Sequence, residues 1–166
     1  MRPFLVPLAL ALVVALASAA GTSAAAPAAG GTPLSLTITV KSVTTSVKHT
    51  DKPPKGTSKG DRFVFRDRLV NVARQFGKAK GAKVGGDSGS FTLTSKTTGV
   101  TSGVAVLPGG TIRFGGTIGA SPAPLKVLGG SGRYAHARGI LIVGDGVSPL
   151  NIYRLSLPGS AQGVTV

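Results

Sequence analysis

After its first thirty or so residues, the chain alternates between apolar and polar side chains with a period of two. In residues 34–40 every second side chain is apolar and the others are Ser or Thr. This alternation predicts a half-buried β-strand with one face toward a core. The apolar phase then shifts to Val43 and Val47, which predicts a β-bulge near residues 41–42.

The same pattern recurs in short segments separated by turns rich in glycine. A hairpin is predicted where Pro108, Gly109 and Gly110 separate two such segments. Polar or basic loops are predicted at residues 48–59 and 74–83. Closely spaced short strands favour an antiparallel sandwich or barrel. The further predicted strands are residues 63–69, 90–95, 103–107, 111–118, 124–128, 134–143 and 151–157.

The start of the chain has the features of an export signal. A short basic segment at residues 1–3 precedes an apolar run at residues 4–16, and small residues suited to cleavage follow. The alternative is a membrane anchor, but the run is shorter than the roughly 20 residues that a span needs. We therefore predict a signal peptide at 1–26, an Ala/Gly/Pro-rich spacer at 27–33, a β-domain at 34–166 and an extracellular location.

Composition narrows the possible chemistry. The 166 residues include no Cys, which excludes disulfides, thiolate metal sites and cysteine nucleophiles. Two His and no Glu argue against a metal-hydrolase site, so no metal ligands are predicted. Hydrophobic residues make up 42% of the chain, too many for a disordered protein. The chain length suits one domain.

The net charge of +14 raises the question of an anionic partner. A basic protein can bind nucleic acid, but only 5% of the residues are aromatic, which leaves few surfaces on which bases could stack. Anionic cell-wall polymers or membrane headgroups are the favoured partners of the basic loops. The alternative is that the charge only keeps the protein soluble.

Asp67 is the most informative single residue. In a regular strand over residues 63–69 its side chain shares a face with Phe63, Phe65 and Leu69. A carboxylate on an apolar face is costly unless it is paired, and its pKa is open to perturbation, which suits proton transfer. The alternative is a surface aspartate that pairs with the neighbouring arginines.

A second group of candidates follows a glycine-rich run at residues 129–132. Parity places Tyr134, His136 and Arg138 on one face, where they could line a pocket and an arginine could hold a developing oxyanion. The alternative is a solvent-facing stretch of an edge strand. Gly86-Asp87-Ser88-Gly89 is similar to a serine-protease motif, but the chain is too short for two barrels, and the segment also suits a turn.

Several motifs occur in an order that resembles the allene oxide cyclase–dirigent superfamily. The last of them is similar to the family's GGTGxYxxARG signature, with Ser131 in place of Thr. The likeness extends over about residues 34–157. The matching segments are residues 60–61 (GD), 65–69 (FRDRL), the glycine-rich stretch 77–89, 107–112 (LPGGTI) and 127–139 (VLGGSGRYAHARG).

This resemblance implies an all-β fold, a single eight-stranded antiparallel barrel that is often a homotrimer and has a hydrophobic lumen open at one end. It implies a small hydrophobic or phenolic ligand whose cyclisation or coupling the lumen steers, without cofactor or metal. Asp67 matches an acid that protonates or orients the substrate, and Arg138 matches the signature arginine.

Two main hypotheses follow from the sequence. The first is a secreted, dirigent-like barrel with Asp67 and Arg138 as catalytic residues. The second is a non-catalytic barrel that carries a ligand or docks on an anionic surface, and a weaker third is nucleic-acid binding. The predicted substrate contacts are Phe65, Phe114, Tyr134 and His136.

Overall fold

The computed structural model describes residues 32–119, 124–144 and 148–159. The predicted signal peptide at 1–26, most of the predicted spacer and the last residues of the predicted domain lie outside these ranges. Within them, the chain forms eight strands: β1 (Leu34–Thr50), β2 (Arg62–Asn71), β3 (Lys83–Leu93), β4 (Gly99–Leu107), β5 (Gly110–Ile118), β6 (Leu125–Gly132), β7 (Arg138–Ile142) and β8 (Leu150–Leu157).

The strands close into one barrel in sequence order. Each strand is antiparallel to the next, and β8 pairs with β1 from Leu34↔Leu157 to Lys41↔Leu150. The all-β, eight-stranded antiparallel barrel predicted from the sequence is therefore confirmed. In the described ranges, no helix has the length and apolar character that crossing a membrane requires.

The two ends of the barrel differ. We call the end where β1 finishes and β2 begins the mouth end, and the other the closed end. The β2–β3, β4–β5 and β6–β7 connections lie at the closed end because neighbouring strands run antiparallel. Tyr134 lies in the β6–β7 connection, is fully buried, and donates a hydrogen bond from its hydroxyl to the Pro108 carbonyl at 3.0 Å. The core also contains Ile38, Val40, Leu69, Ala105, Leu107, Ile112, Leu155 and Leu157.

The hairpin at Pro108 and Gly109 is confirmed, since Leu107 pairs with Gly110 across it. The bulge predicted at residues 41–42 lies instead between Thr44 and Ser46. Ser42 and Thr44 face the inside of the barrel, as the alternation along β1 requires. These two residues are polar because they line a cavity and do not pack in the core. The Thr45 hydroxyl donates to the Arg66 carbonyl across the bulge at 2.8 Å.

Strand β3 begins at Lys83, well before the predicted residue 90. Its glycines belong to the strand because neighbouring groups leave no room for a side chain: Gly85 and Gly86 lie against backbone carbonyls, and Gly89 lies against an aromatic ring. A Cβ atom on Gly89 would lie 2.8 Å from Phe65 Cζ, and one on Gly103 of β4 would lie 2.5 Å from Phe114 Cζ. The glycine-rich composition therefore makes room for Phe65 and Phe114, although the same composition is typical of a loop.

Candidate functional site

A cavity of about 320 Å³ lies inside the barrel toward the mouth end. All eight strands contribute to its wall, which is the expected consequence of inward-facing side chains in a closed barrel. We call it the mouth cavity. Its apolar wall contains Phe65, Phe114, Ile118, Leu125, Leu141, Val143 and Pro149, and its polar residues are Ser42, Thr44, Asp67, Asp87, Thr101 and Asn151.

Two carboxyl groups lie side by side in this wall. Asp67 of β2 and Asp87 of β3 are direct cross-strand partners, and both line the cavity. The Ser42 hydroxyl donates to Asp67 Oδ2 at 2.8 Å, and the Asn151 amide donates to Asp87 Oδ2 at 3.4 Å. The Oδ1 atom of each carboxyl is buried and accepts no hydrogen bond from the described residues. One proton placed between the two groups gives both carboxyls a hydrogen bond.

The surroundings favour that proton on Asp87. Burial, the negative charge of Asp67 and a hydrogen bond to the Asp67 side chain together raise the pKa of Asp87 to about 7. A negative charge beside a buried carboxyl disfavours its ionisation, which is why the neighbouring Asp67 helps to raise the pKa of Asp87. Near neutral pH the site therefore holds a proton donor beside a hydrogen-bond acceptor.

Tyr153 adds a further polar group below the pair. It follows Asn151 on the inward face of β8, is fully buried, and its hydroxyl has no hydrogen-bond partner among the described residues. Burial, together with the negative charges of Asp87 and Asp67, raises the pKa of the Tyr153 phenol. The phenol therefore stays neutral and keeps an unused O–H donor.

An aromatic group and an anchored loop lie at the mouth end of β1 and β2. The ring of His49 stacks on Phe63 with centroids 4.3 Å apart, and Phe91 lies 6.1 Å from Phe63. Asp61 accepts hydrogen bonds from the backbone of Lys52 and from the backbone and hydroxyl of Ser58. These bonds lower the pKa of Asp61, and the nearby His49 contributes to the same effect.

The structure brings together three of the six site residues predicted from the sequence. Asp67, Phe65 and Phe114 all line the mouth cavity. Asp67 occupies the predicted inward face of β2, where Arg66 and Arg68 on either side of it are exposed. The interpretation of Asp67 as a surface residue paired with these arginines therefore does not describe this fold.

The other three predicted residues lie away from the cavity. The parity argument that placed them together was wrong because residues 133–136 form a turn between β6 and β7. Tyr134 is buried at the closed end, where it bonds Pro108. His136 is an exposed turn residue with a positive φ of 59°, and Arg138 is exposed at the start of β7.

Three further polar residues near this site, Asp87, Asn151 and Tyr153, were not predicted from the sequence. Asp87 lies in the Gly-Asp-Ser-Gly segment that suits a turn, but it keeps the inward phase of Phe91 and Leu93 on β3. Asn151 and Tyr153 keep the inward phase of Leu155 and Leu157 on β8. The alternation of inward and outward residues along β3 and β8 could have predicted these three residues. On β8 the alternation was ambiguous because Ile152, on the outward face, is also apolar.

A metal centre has little support in this part of the chain. No group of three or more His or Asp side chains among the described residues could hold a metal ion. The chemistry that can be derived is that of a carboxyl pair, an amide and hydroxyls in a largely apolar cavity, with the buried Tyr153 phenol near the pair.

Comparisons with known proteins address the fold. No family model and no curated protein sequence matches the chain. Among solved structures, a pyocyanin demethylase has 24% identity and a TM-score of 0.61, covering 72% of this chain and 99% of its own. The pterocarpan synthase dirigent protein has 15% identity and a TM-score of 0.54, covering 75% of this chain and 86% of its own.

A Diels–Alderase from Streptomyces koyangensis is similar as well, with 18% identity and a TM-score of 0.52 over 79% of this chain and 68% of its own. At these identities the likeness establishes architecture. The resemblance predicted from the sequence motifs is confirmed at that level: the chain folds as a barrel of the dirigent and allene oxide cyclase type.

Proposed function

We propose that the mouth cavity binds a small apolar or phenolic molecule and steers its stereoselective cyclisation or coupling. The observation that carries this proposal is the Asp67–Asp87 pair, which presents a proton donor and an acceptor side by side in an otherwise largely apolar cavity. Two similar barrels, named as a dirigent protein of pterocarpan synthesis and as a Diels–Alderase, use this architecture for ring-forming chemistry. Fold alone does not determine function, but the carboxyl pair supplies groups that can move a proton during ring closure.

The cavity suits confinement of one small molecule. Its volume of about 320 Å³ is at the lower end of the range for small-molecule pockets, and its walls include Phe65 and Phe114. Holding a flexible, reactive molecule in one folded conformation removes much of the entropic cost of ring closure. Because the walls are chiral, the same confinement favours one face of attack.

The carboxyl pair can complete a cofactor-free ring closure. In a quinone methide that carries a phenol, the phenolic O–H gives its proton to Asp67 while the phenol oxygen forms a C–O bond to the methide carbon. The electron pair of the methide C=C bond moves through the ring to the carbonyl oxygen, which takes the proton from Asp87. The product is an isomer of the substrate. A proton then passes from Asp67 to Asp87 and restores the pair.

The remaining parts of the sequence-based hypothesis enter here as proposals. We infer that the protein acts outside the cell, because the first 26 residues have the pattern of an export signal. Its assembly as a homo-oligomer and its docking on an anionic wall polymer are likewise proposed. Arg138, Tyr134 and His136 receive no role in the reaction because they lie outside the mouth cavity.

The test uses an achiral p-quinone methide with a tethered phenol, whose uncatalysed closure gives a racemate. The product is separated by chiral chromatography with and without the protein. We expect an enantiomeric excess with the unmodified chain and a racemate with Asp67→Asn or Asp87→Asn. Asp51→Asn is the matched control, since Asp51 is an exposed aspartate outside the cavity, and it should retain the excess.

The result that would overturn the proposal is a racemate from the unmodified chain together with tight binding of the closed-ring product. That combination would favour the second hypothesis, a barrel that carries a ligand without transforming it. If the enantiomeric excess persisted in both Asp67→Asn and Asp87→Asn, the cavity walls alone would steer the ring closure. The carboxyl pair would then have another role.

A further inference from the structure

A second, separate cavity lies at the closed end of the barrel. Its volume is about 730 Å³, and none of its lining residues lines the mouth cavity. We call it the closed-end groove. It lies between the start of β1, the β2–β3 connection, the β4–β5 turn and the β6–β7 turn. Its lining residues are Leu36, Thr37, Ile38, Arg74, Gln75, Phe76, Gly77, Pro108, Gly109 and Arg133.

The connection that forms one wall of this groove is held in place by specific hydrogen bonds. The Asn71 side-chain amide donates to the carbonyls of Gln75, Lys78 and Ala79 at 2.9–3.3 Å. The Gln75 side chain donates to the Thr39 carbonyl at 2.8 Å, and it also accepts from the Thr39 amide at 3.4 Å. A surface loop with this many bonds presents its other side chains in fixed positions.

Phe76 is one of the side chains held in this way. Its φ is 56°, a left-handed conformation that side chains other than glycine rarely adopt. Residues held in such conformations cost energy and cluster at binding sites. Here the conformation keeps a half-buried aromatic ring in the wall of the groove, with Leu36, Ile38 and Pro108 as further apolar surface.

Arg133 supplies a buried cationic donor on the opposite side. Its backbone amide donates to the Gly109 carbonyl at 2.8 Å, and its side-chain stem lies over Gly109, where an added Cβ would be 3.2 Å from Arg133 Cβ. The Nε–H group is buried and has no hydrogen-bond partner among the described residues. A buried, unpartnered donor is costly, and the cost is larger for a charged group.

The charge around the groove has one sign. Arg74 also lines it, and Lys78, Lys80 and Lys83 follow on the same connection and at the start of β3. None of the four aspartates in the described part of the chain lines the groove. Clustered positive charge beside a low-dielectric wall raises the local concentration of anions.

We propose that the closed-end groove is a second binding site, for an organic anion with an apolar body. Its carboxylate, or an equivalent oxyanion, would pair with the guanidinium groups of Arg133 and Arg74, both of which line the groove. Its apolar body would lie against Phe76, Leu36 and Pro108. Neither the apolar wall nor the basic loop alone selects this ligand, but together they favour an amphipathic anion over a neutral apolar molecule or an inorganic ion.

Titration with sodium 1-naphthoate, followed by NMR of nitrogen-labelled protein, tests this site. We expect saturable shifts at Gln75, Phe76, Gly109 and the Arg133 Nε–H. The neutral analogue 1-naphthalenemethanol should bind about tenfold more weakly or worse, because it lacks the charge-assisted bond. Affinity for the anion should fall as salt is added, because salt screens the exposed arginine and lysines.

Substitutions of the two arginines test whether naphthoate binds in the closed-end groove. Arg133→Met keeps an aliphatic side chain that can pack on Gly109 and removes the guanidinium, so it should weaken naphthoate binding by about tenfold. Arg74→Met acts at an exposed loop position and tests the same site if Arg133→Met fails to fold. Arg68→Met, an exposed arginine on β2 that lines neither cavity, is the matched control and should bind like the unmodified chain.

Three results would overturn the proposal. One is equal affinity for naphthoate and its neutral analogue, which would indicate apolar binding only. Another is unchanged affinity in both arginine variants. The third is a set of shifts confined to Asp67, Asp87 and Asn151, which would place the probe in the mouth cavity.

Discussion

Asp67 and Asp87 become a functional pair only through strand register. Each is an isolated aspartate in the sequence, and the β2–β3 pairing makes them direct cross-strand partners on the inward face. Burial and the neighbouring Asp67 together raise the pKa of Asp87, so Asp87 holds a proton that an exposed aspartate would lose. The proton on Asp87 is therefore a property of the pair, and it makes a prediction about pH.

We expect the thermal stability of the barrel to fall as pH rises from 5 to 8. The folded state raises the pKa of Asp87 from 3.8 to about 7, so between these values the folded protein binds more protons than the unfolded chain. The stabilising contribution is full below about pH 4 and is lost as pH rises through about 7. The Tm should decline by roughly 5–10 °C, measured by circular dichroism at constant ionic strength.

The Asp87→Asn variant isolates this effect, because its neutral amide can donate to Asp67 at every pH. Its Tm should lack the decline, and at pH 8 it should exceed that of the unmodified chain. Asp51→Asn should keep the decline. Asp61, whose pKa is lowered, contributes stability above its unfolded pKa and loses it only in more acidic solution, outside this window. A flat profile for the unmodified chain would contradict the assignment of the proton to Asp87.

The strands themselves were largely predictable, and the exceptions have physical causes. Strand β2 alternates cleanly, so Asp67 was correctly placed beside Phe65 on one face. Strand β3 was predicted too short because its glycines, which lie against the Phe65 ring and against backbone carbonyls of β2 and β4, have the composition of a loop. The turn between β6 and β7 interrupts the alternation of inward and outward residues, so His136 does not lie on a strand. The alternation pattern alone cannot reveal a turn within a polar segment.

Asn71 contributes three of the side-chain hydrogen bonds that hold the β2–β3 connection. It is buried and its amide donates to three carbonyls of that connection, so Asn71→Ala would leave these carbonyls with their backbone partners alone. We expect a loss of about 2 kcal/mol in the free energy of unfolding, measured by denaturant titration. Amide exchange in residues 72–82 should accelerate more than exchange in β4 or β5.

Lys80→Ala, at an exposed position of the same connection, is the matched control and should change neither quantity. If Asn71→Ala accelerated exchange equally across the whole barrel, the connection would not be an independent unit. Because this connection carries Arg74 and Phe76, its loosening should also weaken 1-naphthoate binding at the closed-end groove.

As a whole, the barrel separates two different environments. The mouth cavity is lined from all eight strands and contains the carboxyl pair, whereas the closed-end groove is formed mainly by connections and carries arginines. Sequence alternation and the order of motifs predicted the barrel itself. They could not predict which inward positions face a cavity instead of packed core, because that depends on where Tyr134 and the core leucines fill the interior.

The outer surface of the barrel has exposed apolar residues that could form the contacts of the trimer that the family resemblance implies. Val64, Val100, Val106 and Leu128 are large apolar residues exposed by 39–56% on the outward faces of β2, β4 and β6. Val64 and Leu128 line one groove on this wall, and exposed apolar surface of this kind marks interaction surfaces. The surrounding arginines, among them Arg66 and Arg113, oppose self-association at low salt.

We therefore expect a homotrimer whose assembly strengthens as salt is raised, because screening weakens the repulsion while apolar burial persists. Sedimentation velocity at low and high salt measures this, and native mass spectrometry gives the subunit number. Val106→Lys adds a charge within the apolar group and should leave monomers at both salt concentrations. Val47→Lys, at an exposed valine of β1 near the mouth end, should still assemble. A chain that stays monomeric at every salt concentration would show that this wall faces solvent or a different partner.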